Sequence, residues 1–336
     1  MLKIAINGFG RIGRASFRAL LSHKGVEVVA INDLTDTTTL AHLLKYDSCY
    51  GLTTDKISST KDALLVNGKK YPVFAIKDPA QLPWKALKVD VVIECTGIFL
   101  DMAGASLHLQ AGAKKVVLSA PAKTDDVKTF ILGVNADKMK KSDKVVSMAS
   151  CTSNCLAPVT DFLSAKYGIK KALMSTVHAY TADQNLVDGP HKDLRRARGA
   201  ALSIIPTTTG AAKALGKTIP AVNGKFDGMA IRVPVPVGSL CDTVYLLESK
   251  TTVEALNKAL TEASKTAKYK GIITVTNEPL VSKDIVGNPA STIVDLSCTK
   301  VVDGDLLKII SWYDNEWGYS NRLADFCVFI DKKKLL

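Results

Sequence analysis

The chain has 336 residues, 47% of them hydrophobic and 23% charged, which fits about two domains and a soluble globular fold with a sizeable core. Its formal net charge of +12 raises nucleic-acid binding as a class. The lysines are dispersed, however, and the densest basic run, KDLRRAR at 192–198, has no interleaved aromatics for base stacking, so a solvated basic surface with anion-binding spots is expected and nucleic acid is not indicated. No stretch approaches the ~20 apolar residues of a bilayer span, so no membrane role is expected. MLKIAINGFGRIGR runs from a short apolar strand into a glycine loop, which does not read as a secretory signal. The cytoplasm is the expected compartment, where seven cysteines, an odd number, do not form a disulfide framework.

In chain order, KIAIN (3–7) reads as a buried strand, RIGRASFRALLSH (11–23) as a helix and VEVVAIND (26–33) as a second strand. ALLVNGKKYPVFA (63–75) carries an Asn67-Gly68 hairpin signal between apolar runs. VDVVIECTG (89–97), KKVVLSA (114–120) and KVVSMAS (144–150) are β-branched runs closed by small residues, with GASLHLQAGA (104–113) helical between two of them. This alternation predicts βαβ units on a mostly parallel sheet. Beyond it, ALMSTVHAY (172–180), MAIRVPVPV (229–237), DTVYLLES (242–249), STIVDLSCT (291–299) and LLKIISWYD (306–314) read as longer strands, interrupted by helices such as 251–267. The fold class is therefore α/β, with a doubly wound first domain and a second on a large, mostly antiparallel sheet. The boundary falls near Ser150.

INGFGRIG sets Gly8, Gly10 and Gly13 in G-x-G-x-x-G spacing between a strand and a helix. Such glycines permit a tight turn and close approach of a pyrophosphate to the helix start. Asp33, twenty residues beyond Gly13, is placed to hold ribose hydroxyls and to repel a 2′-phosphate, so NAD is expected rather than NADP. Thr96, Gly97, Ser119 and Ala120 end later strands, either lining the cofactor cleft or simply punctuating the chain.

SMASCTSNCLAP (147–158) raises the question of what Cys151 and Cys155 do. Zinc needs about four ligands, and neither C-x-x-C nor H-x-x-x-H accompanies them, so no metal is expected. One helical turn apart, the two thiols make a poor disulfide. Cys151 falls at a predicted helix start, where dipole and free N–H groups favour a thiolate, and Cys155 reads as a small buried residue. A packed thiol is the alternative for Cys151, weakened by His178 in STVHAYT, which ends a predicted strand in a polar setting. A Cys/His pair beside NAD points to aldehyde oxidation through a hemithioacetal and a thioester, with His178 as base.

INGFGRIGR, SCTSNCLAP, HAYTADQ, PHKDLRRAR, IIPTTTGAAKA and SWYDNEWGYSNR follow in this order over nearly the whole chain and together resemble the phosphorylating glyceraldehyde-3-phosphate dehydrogenases. The resemblance implies an NAD-binding domain at 1–150, a catalytic domain at 151–316 on an eight-stranded mixed sheet, a C-terminal segment from about 317 to 336 that packs back on the first domain, and a homotetramer. It makes Cys151 the nucleophile and His178 the base, and gives Phe9, Arg11, Ile12, Asn315 and Tyr319 to the cofactor together with the loop glycines. Thr181 and Arg232 match residues that bind the substrate's phosphate; Ser150, Thr152, Arg196, Thr209 and Gly210 match those for inorganic phosphate. Segment 180–202 resembles a loop that crosses to a neighbouring subunit, and its Gly189-Pro190 fits NAD-using members. D-glyceraldehyde 3-phosphate and inorganic phosphate are the implied substrates, with erythrose-4-phosphate dehydrogenase and an added RNA- or surface-binding role as alternatives. Two departures stand out: Met148 where the family usually has Asn, and Ser153 where it usually has Thr.

Overall fold

The computed structural model describes residues Met1–Leu336, which divide into two compact units. The first comprises Met1–Phe130, Lys138–Ala149 and Ser320–Leu336; the second comprises Ile131–Asp137 and Ser150–Tyr319. Ser320–Leu336, the larger part of the helix Trp317–Lys332, thus belongs to the first unit, where Asp325 meets His23 at 3.4 Å.

A nine-stranded sheet forms the first unit, in the order Lys128–Thr129, Val145–Ser147, Lys115–Leu118, Val91–Glu94, Leu2–Asn7, Val26–Asn32, Lys69–Phe74, Ala63–Val66, Ile57–Thr60. Neighbours pair in parallel as far as Lys69–Phe74, and the last two strands are antiparallel additions. The central strands are covered on both faces, which explains their unbroken Val/Ile runs. Asn67 (φ 51°) and Gly68 (φ 83°) both take the left-handed conformation that a two-residue hairpin turn demands. The helix read at 104–113 starts earlier, at Met102, because Asp101 accepts from the Gly104 N–H at 2.7 Å and caps it.

Seven strands, not eight, make the second sheet: Ile205–Thr207, Phe226–Val233, Ile169–Ala179, Ser239–Leu247, Leu306–Tyr313, Thr292–Val302 and Ile273–Thr276. Four of its pairings are antiparallel and two parallel. The helix Cys151–Tyr167 packs on this sheet through Cys155, Leu156, Val159 and Leu163, all buried. Its N-cap is Ser150, whose Oγ accepts from Ser153 N–H at 3.1 Å. The parallel pairing sets His178 opposite Arg232, so both side chains leave the sheet on one face.

Candidate functional site

In the first unit the glycine loop has three separate steric reasons. Gly8 sits at φ +90°, and a Cβ there would lie 2.8 Å from the Cys95 carbonyl carbon. At Gly13 a Cβ would fall 2.1 Å from the Gly8 oxygen. Gly10 is different: a Cβ would meet nothing within 4 Å. Its bareness answers no need of the chain itself and suits a group approaching from outside. The helix Arg11–Leu21 begins here with no side-chain cap from its N-cap residue and no acidic residue in its first turn, a start whose dipole suits an anion.

Beside the loop opens a cavity of about 730 Å³, whose lining includes Gly8, Gly10, Asp33, Thr96, Ile98 and Phe99. Its volume and apolar walls suit a nucleotide half. Asp33 stands at this cavity and accepts from the Phe9 N–H at 2.7 Å and the Thr35 N–H at 2.9 Å, so its carboxylate is oriented before any ribose arrives. Phe9 is wholly buried and offers its backbone, while Arg11 pairs with Asp47 at 2.9 Å. Thr96 lines the cavity; Gly97, Ser119 and Ile12 do not.

Sequence reasoning missed what lies beneath. Glu94 is fully buried and accepts from Asn7 Nδ2 at 2.6 Å, from the Thr96 N–H at 2.7 Å and from the Thr96 hydroxyl. His108 Nε2 lies 3.1 Å from the same carboxylate. The Trp84 indole N–H donates to His108 Nδ1 at 3.0 Å, which puts the ring's own proton on Nε2, facing Glu94. The available signal was a glutamate ending a wholly apolar strand, a residue that needs partners when buried.

The second unit brings Cys151 and His178 together, with Sγ 3.5 Å from Nε2. His178 Nδ1 lies 2.7 Å from the Ala179 carbonyl, which can only accept. Nδ1 therefore carries the ring proton, and the Nε2 lone pair faces the thiol. Cys151 is partly accessible, while Cys155 is buried; both are free thiols. Burial pushes the Cys151 thiol up to about 11, against the pull of Arg232 and of hydrogen bonds from Thr152. Burial, reinforced by Arg232, pushes His178 down to about 3. Burial thus acts against the charged form of both groups and opposes the field at the helix start. Two residues before Cys151, Ala149 adopts φ +56°, held by its N–H on Ser147 Oγ at 3.0 Å. Met148 is fully buried.

Around this pair stand the anion-binding candidates. Arg232 Nη1 donates to Thr181 Oγ1 at 3.0 Å and to the Ala179 carbonyl at 3.2 Å, while its Nε is buried without a partner. An orphaned guanidinium N–H next to a hydroxyl is a vacancy for an oxyanion. Thr209 Oγ1 accepts from the Ala211 N–H at 3.3 Å and Gly210 caps the helix Ala211–Thr218. Arg196 is engaged within the protein through Asp183, Thr207 and Thr208. Thr152 points inward, its Oγ1 3.0 Å from Tyr313 Oη. Asn315 Oδ1 accepts from Gly238 N–H and Ser239 Oγ, both at 3.0 Å, which fixes its amide plane; Tyr319 is buried nearby in sequence.

Residues 2–102 match the sequence model of the glyceraldehyde 3-phosphate dehydrogenase NAD binding domain, and 150–315 that of the same family's C-terminal domain. The first match assigns NAD to the first unit, whose loop, cavity and Asp33 fit it. The chain is 52% identical to the glyceraldehyde-3-phosphate dehydrogenase of Geobacillus stearothermophilus over 335 residues, covering 99% of each. It is also 52% identical to those of Streptomyces coelicolor over 331 residues (98% of each) and Mycobacterium tuberculosis over 338 (98% of this chain, 99% of the relative). Two family domains and half-identity along the full length leave one conclusion: the chain belongs to the glyceraldehyde-3-phosphate dehydrogenase family.

Proposed function

We propose that the protein oxidises D-glyceraldehyde 3-phosphate to 1,3-bisphosphoglycerate, using NAD and inorganic phosphate. The observation that carries this reading is the Cys151–His178 pair, 3.5 Å apart with the acceptor nitrogen facing the thiol. His178 takes the thiol proton as sulfur attacks the aldehyde carbon, and returns it to the carbonyl oxygen, leaving a hemithioacetal on Cys151. NAD, when bound, supplies the hydride acceptor. His178 then removes the hydroxyl proton as the carbonyl reforms, giving a thioester on the sulfur. Inorganic phosphate attacks that thioester, the C–S bond breaks, and His178 returns the proton to Cys151. Arg232 and Thr181 hold the phosphate of the substrate; Ser150, Thr209 and Gly210 hold the attacking one. Thr152 supports that set through its backbone, since its hydroxyl is turned to Tyr313.

In the first unit Asp33 receives the ribose hydroxyls and the open helix start receives the pyrophosphate; in the second, Asn315 holds the carboxamide through its free amide hydrogens. A homotetramer suits the apolar side chains left outside, among them Leu186 (72% exposed) and Leu202 (87% exposed) around the loop 180–202.

The test is NADH formation from D-glyceraldehyde 3-phosphate with and without inorganic phosphate. Sustained, phosphate-dependent turnover is expected. A single burst that phosphate does not prolong would move the assignment to a hydrolytic relative, with erythrose 4-phosphate as the next substrate.

A further inference from the structure

Three rows of hydrogen bonds converge on the buried Glu94 carboxylate, and in each of them every donor points toward it. The first starts at Ile76, which lines the cofactor cavity: the Ile76 N–H donates to Asn32 Oδ1 at 3.0 Å, Asn32 Nδ2 to Asn7 Oδ1 at 2.7 Å, and Asn7 Nδ2 to Glu94 Oε2 at 2.6 Å. The second starts at another lining residue, Ile98, whose N–H donates to Thr96 Oγ1 at 3.1 Å. The Thr96 hydroxyl donates in turn to Glu94 Oε1, joined there by the Thr96 N–H at 2.7 Å. The third runs from the Trp84 indole through His108.

The sheet explains how one residue gathers them. Asn32, Asn7 and Glu94 end three neighbouring parallel strands and stand in register, with Asn7 opposite Asn32 on one side and Glu94 on the other. Ile76 follows two residues after a fourth strand, Lys69–Phe74, which pairs with Asn32 through Phe74. All of the side chains between Ile76 and Glu94 are buried, so bulk water does not substitute for these partners. A carboxylate only accepts, so Asn7 turns its amide nitrogen to Glu94 and its oxygen to Asn32, and Asn32 presents its own oxygen to the Ile76 N–H. Asn32 Nδ2 also reaches the Ile76 carbonyl at 2.9 Å, which clamps that residue at both its backbone groups. Either amide could serve turned around; the carboxylate could not, and it therefore sets the polarity of the whole row.

We propose that Glu94 is a positioning residue for the dinucleotide: acting through Asn7 and Asn32 on Ile76, and through Thr96 on Ile98, it fixes the separation of two parts of the cavity wall between which the ADP-ribose half of NAD sits. The inference rests on the reading of this cavity, beside Asp33, as the seat of that half. It gives a purpose to a fully buried carboxylate that does not itself line the cavity.

The experiment is calorimetric titration of the full-length protein with NAD and with ADP-ribose, in the wild type, Glu94→Gln and His108→Leu, alongside steady-state kinetics and thermal unfolding. Glutamine keeps the shape of Glu94 but turns an NH2 group on one of the rows. Either both asparagine amides flip and the Ile76 N–H loses its acceptor, or the bonds to Thr96 are lost. Glu94→Gln is expected to weaken NAD and ADP-ribose by the same factor, about tenfold, the size of one hydrogen bond to a charged group. The KM for NAD should rise likewise, while kcat at saturating NAD and the KM for the aldehyde phosphate hold. His108→Leu removes one donor to the carboxylate and should weaken both ligands in the same sense by less, so the test survives if Glu94→Gln does not fold. Unchanged affinities in whichever variants fold would overturn the proposal, and a lower melting temperature with unchanged affinities would make Glu94 a packing residue only. Weaker NAD with unchanged ADP-ribose would overturn it as well, because the effect would then lie outside this cavity. Should ADP-ribose fail to compete with NAD for the wild type, it is the seating of that half that fails, and the proposal with it.

Discussion

His178 and Arg232 stand opposite each other on neighbouring parallel strands and hold the same oxygen: the Ala179 carbonyl accepts from His178 Nδ1 at 2.7 Å and from Arg232 Nη1 at 3.2 Å. The residue with the orphaned guanidinium nitrogen thus also helps orient the base. Replacing Arg232 by Ala should raise the KM for the aldehyde phosphate roughly 10- to 100-fold, the loss of one or two charge-assisted hydrogen bonds. Arg232 holds His178 down and Cys151 down, so its removal should raise both. Steady-state kinetics across pH should show the acid limb moved upward; a pure KM effect with an unmoved limb would contradict the shared-carbonyl geometry.

His178 itself makes the fold acid-sensitive. The unfolded chain takes up a proton at this ring near 6.5 and the folded protein only near about 3. The unfolded state therefore binds more protons between those values, and stability present above pH 6.5 drains away as pH falls toward 3. The whole effect amounts to roughly 3–5 kcal/mol. His178→Asn should unfold less steeply over this range in denaturant titrations, while kcat at neutral pH falls by about 10²- to 10⁴-fold.

Gly10 and Gly13 should respond differently to the same methyl group. Gly13→Ala drives a Cβ to 2.1 Å from a backbone oxygen, so a large loss of melting temperature or of soluble yield is expected. Gly10→Ala meets open space and should fold with the wild-type melting temperature. Its defect should appear only in NAD titration, as weaker binding. Equal NAD affinity in Gly10→Ala would mean that no ligand atom approaches there.

Lys115 offers a second pH signature. It is fully buried, its Nζ donates to the Asp143 carbonyl, and burial lowers it to about 8. Between that value and 10.5 the unfolded chain holds the extra proton, so stability rises with pH there; below pH 8 the folded state carries the full burden of a buried charge. Lys115→Met should gain roughly 1–3 kcal/mol at pH 7 relative to the wild type, less whatever the lost hydrogen bond contributes. Unfolding curves should show that advantage shrinking toward pH 10.5.

The parts of this molecule governed by neighbours in sequence could be read from it. Asn67-Gly68 marks its hairpin because only a left-handed pair closes a two-residue turn, and the Gly8–Gly13 spacing marks a strand-to-helix turn for the same local reason. Features set by distant residues were not legible. Tyr313 reaches Thr152 across 161 positions and Asn7 reaches Glu94 across 87, and no local pattern announces either bond. The helix at Ala211–Thr218 also went unread, since its first turn has no side-chain cap to announce it.

The two rims of the nine-stranded sheet bear on how the protein behaves in a crowded solution. One rim is the two-residue strand Lys128–Thr129, whose lysine is tied to Asp143 at 2.7 Å; the other is the four-residue ISST strand, bracketed by Lys56 and Lys61. Neither presents a long apolar ladder of unpaired amides to a passing strand. A sheet with Val and Ile runs at its centre would otherwise offer a template for further strands, and tapering both ends to short polar strands guarded by lysine denies a second molecule any register in which to add.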